Sequence, residues 1–266
     1  MTRLLLVLIS LLLALPIAIG HSQTQDATAK QSGVVRLRAR VKLNDSAPLR
    51  GLARKRFFLL HGSLEQNRAL IDAIERQPLV TRDCYYTKNG ASPALIAWLK
   101  EADCESVYCR DVEQDFIAGP KAVPEFTTAF AASEKEFGSA ATARKWLTTN
   151  LPPNLRDGFY RDRKAAIDAL LKQAQATPGT TVQSGAAVQS VMTDRNGTAF
   201  FTDLLPGTYV ITNLIPTEIG QSLATWNCEL QIKPDDLASE KAYLISNRKD
   251  RLVKCVAIEK PAPPCQ

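Results

Sequence analysis

Histidine is scarce in this chain: its 266 residues include only His21 and His61. Loss of the first 22 residues on export would leave one, so a Ser-His-Asp arrangement has a single candidate base. His61 stands beside Gly62 at the end of a strand-like run, where a structural or solvent-facing role is the expectation. No two cysteines show the CxxC spacing, and with so little histidine a zinc site is not expected. A nucleophile motif is missing as well. These absences count against an enzyme and imply no cofactor and no metal.

Long apolar runs are also missing beyond the N-terminus. No later segment approaches the roughly 20 apolar residues that a bilayer-spanning helix needs, so no transmembrane span is expected in the mature form. The one long run, Leu4 to Ile19, follows Arg3, is broken by Ser10 and Pro16, and closes on Ala18, Gly20 and Ser22. Residues 1–22 therefore read as a secretory signal peptide cleaved after Gly20 or Ser22. An uncleaved anchor is the rival reading, and the shortness of the run opposes it. No Cys follows the run, which argues against lipid attachment. The expected location is secreted or periplasmic, and nucleic acid is set aside as a partner.

The chain carries 33 basic and 27 acidic side chains, and removing Arg3 leaves a net charge of about +5. Such a balance suits an acidic polysaccharide, an anionic lipid or another cell-envelope surface, and it equally suits a soluble protein held away from its isoelectric point. Six cysteines, Cys84, Cys104, Cys109, Cys228, Cys255 and Cys265, suggest disulfides in an oxidising compartment. Fifteen connectivities are open. Three cysteines precede residue 110 and three follow residue 227, so full pairing requires an odd number of bridges between the groups. Cys228 with Cys255 is the preferred pair, since both sit in alternating apolar stretches; closing that loop is worth on the order of 3 kcal/mol.

Val35, Leu37, Ala39, Val41 and Leu43 alternate with Arg36, Arg38, Arg40 and Lys42, the pattern of a half-buried strand. Arg54 to Leu60 reads as a second strand. From Ser63 the period lengthens to that of a helix. Ser63 with Gln66 forms a capping box ahead of Leu70, Ile71 and Ile74. Further helices are expected from Ser92 with Pro93 in the first turn, over Pro124 to Phe137, over Ala140 to Thr148, and over Tyr160 to Ala176 before Pro178-Gly179. Strand patterns return over Val188–Thr193, Thr198–Asp203, Thr208–Leu214, Trp226–Ile232, Ala242–Ile245 and Leu252–Ile258. A lone two-stranded hairpin cannot bury its faces. The preferred organisation is thus one β-sandwich from residues 33–62 and 180–259, a helical insertion over 63–179, and an irregular tail at 260–266. An independent N-terminal α/β unit is the alternative.

The run Thr193 to Ile211 is the most specific signal. Asp194-Arg195-Asn196-Gly197 reads as a tight hairpin turn, Ala199, Phe201 and Leu204 point inward, Pro206-Gly207 turns again, and Tyr209 and Ile211 continue the inner face. In this pattern, and in Val41, Leu43, Pro48, Leu49 and Gly51 upstream, the chain resembles the carboxypeptidase regulatory-like domains. The resemblance implies a mainly β, α+β protein: a seven-stranded prealbumin-like (transthyretin-like) antiparallel sandwich, here interrupted after strand two by the helical subdomain. It also implies a structural or binding module with no catalytic residues to transfer.

Other candidate sites have ordinary readings. The carboxylates Glu101/Asp103, Asp111/Glu113/Asp115 and Asp235/Asp236 suit glycoside chemistry but equally a soluble surface. Asp194 to Gly197 resembles a calcium-loop fragment without its remaining ligands, so a turn is expected. Trp226 should be core, as should Trp98 and Trp146 on amphipathic helices; with Tyr85 and Tyr86 they are the candidates for sugar stacking. Arg36, Arg38, Arg40 and Lys42 form a ladder with 6.6–6.8 Å between alternate residues, able to meet a linear polyanion. The competing reading is an edge strand protected by basic side chains. The expected function is an exported, non-catalytic binding or structural protein with a protein or acidic-polysaccharide partner. The alternatives are an exported hydrolase with its site in the insertion, and a polysaccharide-binding module.

Overall fold

A computed structural model describes residues 32–78, 80–176, 188–238 and 242–265; the expected signal peptide and the stop at Pro178-Gly179 lie outside them. The chain opens with β1 (Gly33–Val41), β2 (Arg50–Gly51) and β3 (Arg56–His61). Helices α1 (Arg68–Glu75), α2 (Arg82–Lys88), α3 (Pro93–Glu101), α4 (Gln114–Ile117), α5 (Pro124–Phe137), α6 (Ala140–Trp146) and α7 (Phe159–Ala176) follow. Next come β4 (Gln189–Met192), β5 (Thr198–Leu204), β6 (Gly207–Thr212), the hairpin β7 (Thr217–Ile219) and β8 (Ser222–Thr225), and β9 (Asn227–Ile232). A short helix α8 (Pro234–Leu237) leads to β10 (Ala242–Ser246), β11 (Cys255–Val256) and β12 (Ile258–Pro261).

Two sheets enclose the principal core. The first runs β11-β10-β1-β2, with β5 also on β1; the second runs β4-β3-β6-β9. Alternation decides which side chains meet between them: Leu37, Ala39 and Val41 from β1, Phe57 and Leu59 from β3, Phe201 from β5 and Ile211 from β6 are all buried there. Trp226 fills the centre, edge-on to Phe57 at 5.7 Å between ring centroids, with its Nε1 donating to the Ser246 carbonyl at 3.1 Å.

The arrangement departs from a seven-stranded antiparallel sandwich. β1 pairs with β10 in parallel, as β10 does with β11. After β9 the chain leaves the second sheet through α8 and enters the first in the direction of β1, and an alternating pattern carries no information about strand direction. β12, β8 and β7 form a third sheet. Its β7–β8 turn, with Gly220 at φ 61°, is a two-residue connection of the kind glycine permits. β12 also corrects the irregular tail: Lys260 and Pro261 pair with Leu223 and Ser222. β12 is an edge strand, where a proline without N–H costs no ladder bond.

The turn at Asp194–Gly197 is tight, as expected, but its flanking strands do not pair into a hairpin. β4 joins β3 and β5 joins β1, so the turn carries the chain from one sheet to the other. Gly197 has φ 75°, and a Cβ there would collide with the Ala39 carbonyl and the Leu52 amide. Glycine therefore answers both a left-handed backbone and a close approach.

The helices lie against the outside of the second sheet. Phe58 and Leu60 of β3, with Val210 of β6, pack against Leu70 and Ile74 of α1 and Leu170 and Ala174 of α7. β3 is thus apolar on both faces, which explains the unbroken run Phe57-Phe58-Leu59-Leu60. A further core joins Tyr86, Leu95, Trp98, Leu99, Phe126 and Phe159 among the helices. Caps fix their limits: Ser92 Oγ accepts from the Leu95 amide at 3.1 Å, and α5 ends on Gly138 at φ 64°. The reciprocal Ser63–Gln66 bonds form, at 2.8 and 3.2 Å, but they close a turn ahead of α1, whose N-cap is Asn67.

The six cysteines lie in three pairs. Cys228 of β9 faces Cys255 of β11 across the two sheets, Cys104 meets Cys109, and Cys84 of α2 meets Cys265, with Cα separations of 5.8, 5.6 and 5.1 Å. All fall within the range a disulfide spans. One pair crosses between the N-terminal and C-terminal groups.

Candidate functional site

β1 is an interior strand, with β10 on one edge and β2 and β5 sharing the other. Edge protection therefore does not account for its basic side chains. Arg36, Arg38 and Arg40 project from the solvent side of the first sheet and, with Arg195, Thr198 and Phe200, line an open groove of about 400 Å³. The register sets Phe200 opposite Arg36 and Thr198 opposite Arg38, and Phe200 is 54% exposed. Among the described residues no carboxylate pairs with these four arginines, and the Nε atoms of Arg36 and Arg40 are buried without a hydrogen-bond partner. Arg195 was not legible as a member of this group, because its approach depends on the turn packing onto β1. That turn is shaped by Asp194, whose Oδ1 accepts from the amides of Asn196 and Thr198 at 2.8 Å each.

Lys42 lies one residue past β1. Its backbone exchanges hydrogen bonds with the Asn247 side chain at 2.9 and 2.7 Å, and it does not line the groove. Arg54, Lys55 and Arg56 lie elsewhere. They line a cleft of about 490 Å³ between β3–β4 and α7, closed at one end by the Cys104–Cys109 loop.

Lys55 anchors a charge network at that end. Its Nζ lies 3.3 Å from Asp103 and 3.2 Å from Glu105. Arg82 reaches Asp103 at 3.4 Å and Glu218 at 3.9 Å, and Arg163 reaches Glu105 at 3.7 Å. The network ties the helices to the strands, since Lys55 and Glu218 belong to the β portion and the others to the helical block. Burial alone would lower the Lys55 pKa, but the Glu105 and Asp103 carboxylates outweigh it and hold the amine above its ordinary value. Burial alone would raise Glu105, and Lys55 and Arg163 bring it below the usual carboxylate range. Glu218 goes the other way: burial pushes it up despite the Arg82 amide and guanidinium. Tyr86 is also raised, by burial and then by Tyr85, while its hydroxyl donates to the Glu105 carbonyl at 3.2 Å.

The remaining sequence candidates are dispersed. His61 is exposed at the end of β3, edge-on to Tyr209 at 5.3 Å. Glu101 is paired with Arg110 at 2.7 Å, and Asp236 accepts from the Lys233 amide at 2.9 Å. Among the described residues no cluster of histidine, cysteine and carboxylates has metal-binding geometry, and no helix is long and apolar enough to cross a membrane. Trp98 is buried under the Arg110 guanidinium, 4.3 Å from the ring centroid. Trp146, expected inside, is 47% exposed; it is the last residue of α6, where the amphipathic pattern no longer constrains it.

No protein-family model matches the chain, and no curated protein matches it. Among solved structures, the pilus backbone protein RrgB of Streptococcus pneumoniae matches at 12% identity and a TM-score of 0.22 over 75% of this chain. The match spans 34% of that protein's length.

Proposed function

We propose that this chain is an exported, non-catalytic binding protein that presents the Arg36–Arg38–Arg40 face, with Arg195, to a linear polyanion such as an acidic cell-envelope polysaccharide. The observation that carries the reading is that, among the described residues, no carboxylate pairs with the arginines projecting from this interior strand. Charges left unpaired on a flat sheet face, beside an exposed Phe200, suit an extended anionic ligand, and the chain's positive balance favours encounter with one. In this reading the scaffold is a carboxypeptidase regulatory-like module built from residues 33–62 and 180–259, with 63–179 inserted. The inward set Ala199, Phe201, Leu204, Tyr209 and Ile211 supports it. Asp103 and Glu105, which line the cleft beside α7, are already engaged by Lys55, Arg82 and Arg163, which leaves the hydrolase reading without a free Asp103–Glu105 acid–base pair in that cleft. Titration with dextran sulfate tests the assignment. Affinity should fall at least tenfold in Arg38→Glu/Arg40→Glu and should fall with added salt; binding insensitive to both would reject it.

A further inference from the structure

The cleft between β3–β4 and α7 is graded along its length. Arg54, in the turn ahead of β3, and Arg56 and Phe58, which share one face of β3, line one wall, so that wall passes from cationic to aromatic. On α7, Arg163, Ile167 and Leu171 recur at helical spacing and grade the same way. The cationic ends meet at the Cys104–Cys109 loop, where the Arg54 guanidinium donates to the Cys109 carbonyl and Arg163 lies beside Glu105. The apolar ends merge with the Phe58–Leu170–Ile215 core.

Two charges in the cleft are not neutralised. Arg54 is bonded to a backbone carbonyl and Arg56 to the Ser190 hydroxyl at 3.0 Å, and neither has a carboxylate partner among the described residues. Arg163 and Lys164, by contrast, are paired with Glu105 and Asp168. The apolar half is formed by the Phe58 face of β3 and the Ile167–Leu171 face of α7, whose backbone groups are spent in the ladder and the helix. A peptide backbone entering there would leave its own N–H and C=O groups unbonded, whereas an alkyl chain asks for no hydrogen bonds. The cleft volume, about 490 Å³, falls within the range of small-ligand sites.

We infer that this cleft binds a single-chain anionic amphiphile, its carboxylate or phosphate head at Arg54 and Arg56 and its alkyl chain between Phe58, Ile167 and Leu171. The site is separate from the arginine face of the first sheet and does not depend on it.

Calorimetric titration of the full chain with dodecanoate, dodecyl phosphate and dodecyltrimethylammonium, each below its micellar concentration, tests the inference. Saturable one-to-one binding is expected for at least one anion, with the cation at least tenfold weaker, and the preferred anion tells a fatty acid from a phospholipid-derived ligand. Arg54→Glu/Arg56→Glu should weaken anion binding at least tenfold. Ile167→Trp, which fills the apolar half, should weaken it similarly without reversing the head-group preference. Arg38→Glu/Arg40→Glu should leave it unchanged. Equal binding of the cationic amphiphile, no saturable binding by folded wild-type protein, or loss of binding in Arg38→Glu/Arg40→Glu would overturn the inference.

Discussion

Lys55, Arg82 and Arg163 lie 3.2 to 3.9 Å from carboxylates that hold them in place, whereas Arg36, Arg38, Arg40 and Arg195 have no carboxylate partner among the described residues. The two groups use the same kinds of side chain for opposite ends. A buried cation is tolerated only when paired, and removing one partner leaves the others uncompensated. Arg38 and Arg195 are exposed and Arg36 and Arg40 half-buried; an unpaired cation that water reaches contributes little to folding and remains available to a ligand. Substitution should therefore separate stability from binding.

The largest effect is expected from Lys55→Met, which keeps the packed stem and removes the charge. Breaking a buried pair costs about 3–5 kcal/mol, so the urea midpoint should fall steeply while dextran sulfate affinity per folded molecule stays the same. An unchanged midpoint would place Lys55 outside the framework.

Glu105→Gln should remove a smaller share and change the pH profile. With its folded pKa below the unfolded value, Glu105 contributes stability that is present above pH of about 4.3 and lost as pH falls. Lys55, held above its ordinary value, contributes below pH of about 10.4 and loses that contribution as pH rises through its folded pKa. Burial-raised Glu218 has the reverse acid sign: its protonation favours the folded state as pH falls towards about 4.3. Glu105→Gln should therefore flatten the acid loss of stability while leaving the Glu218 gain. An acid limb identical to wild type would show that Glu105 is not the group responsible.

Gly197→Ala comes next. A Cβ in the left-handed conformation against the Ala39 carbonyl should cost more than about 1 kcal/mol and disturb Arg195, lowering both stability and polyanion affinity. Arg38→Gln should be the mildest for folding, within about 0.5 kcal/mol, with a measurable loss of dextran sulfate binding.

The sequence showed local structure more readily than contacts across the chain. The span of α5 was legible from Pro124 and Gly138, and the inward set of β1 from its alternation, because each depends on neighbours within a few residues. Strand direction was not legible: Ala242–Ile245 alternates alike whether β10 runs with β1 or against it. The Asp194–Gly197 turn was visible, yet its carrying the chain between sheets was not, since that depends on which partners β4 and β5 find. α2 was missed because the seven residues Arg82–Lys88 offer too short a stripe, although Thr81 is its cap, accepting from the Cys84 amide at 3.3 Å. The division of the cations was hidden for the same reason. Arg54, Lys55 and Arg56 are consecutive in sequence, but the carboxylates that claim Lys55 lie some 50 residues away. The alternation of Arg36, Arg38 and Arg40 was legible; the place of Lys42 outside the groove and the interior position of β1 in the sheet were not.

The most direct test of this division is the salt dependence of dextran sulfate affinity in wild-type protein and in Arg38→Glu/Arg40→Glu, with the urea midpoint recorded for both. The predicted result is a steep loss of wild-type affinity with salt, a weak and shallow dependence in the variant, and midpoints that agree to within about 0.5 kcal/mol. Equal affinities with equal salt slopes would contradict the assignment of the arginine face as the binding surface.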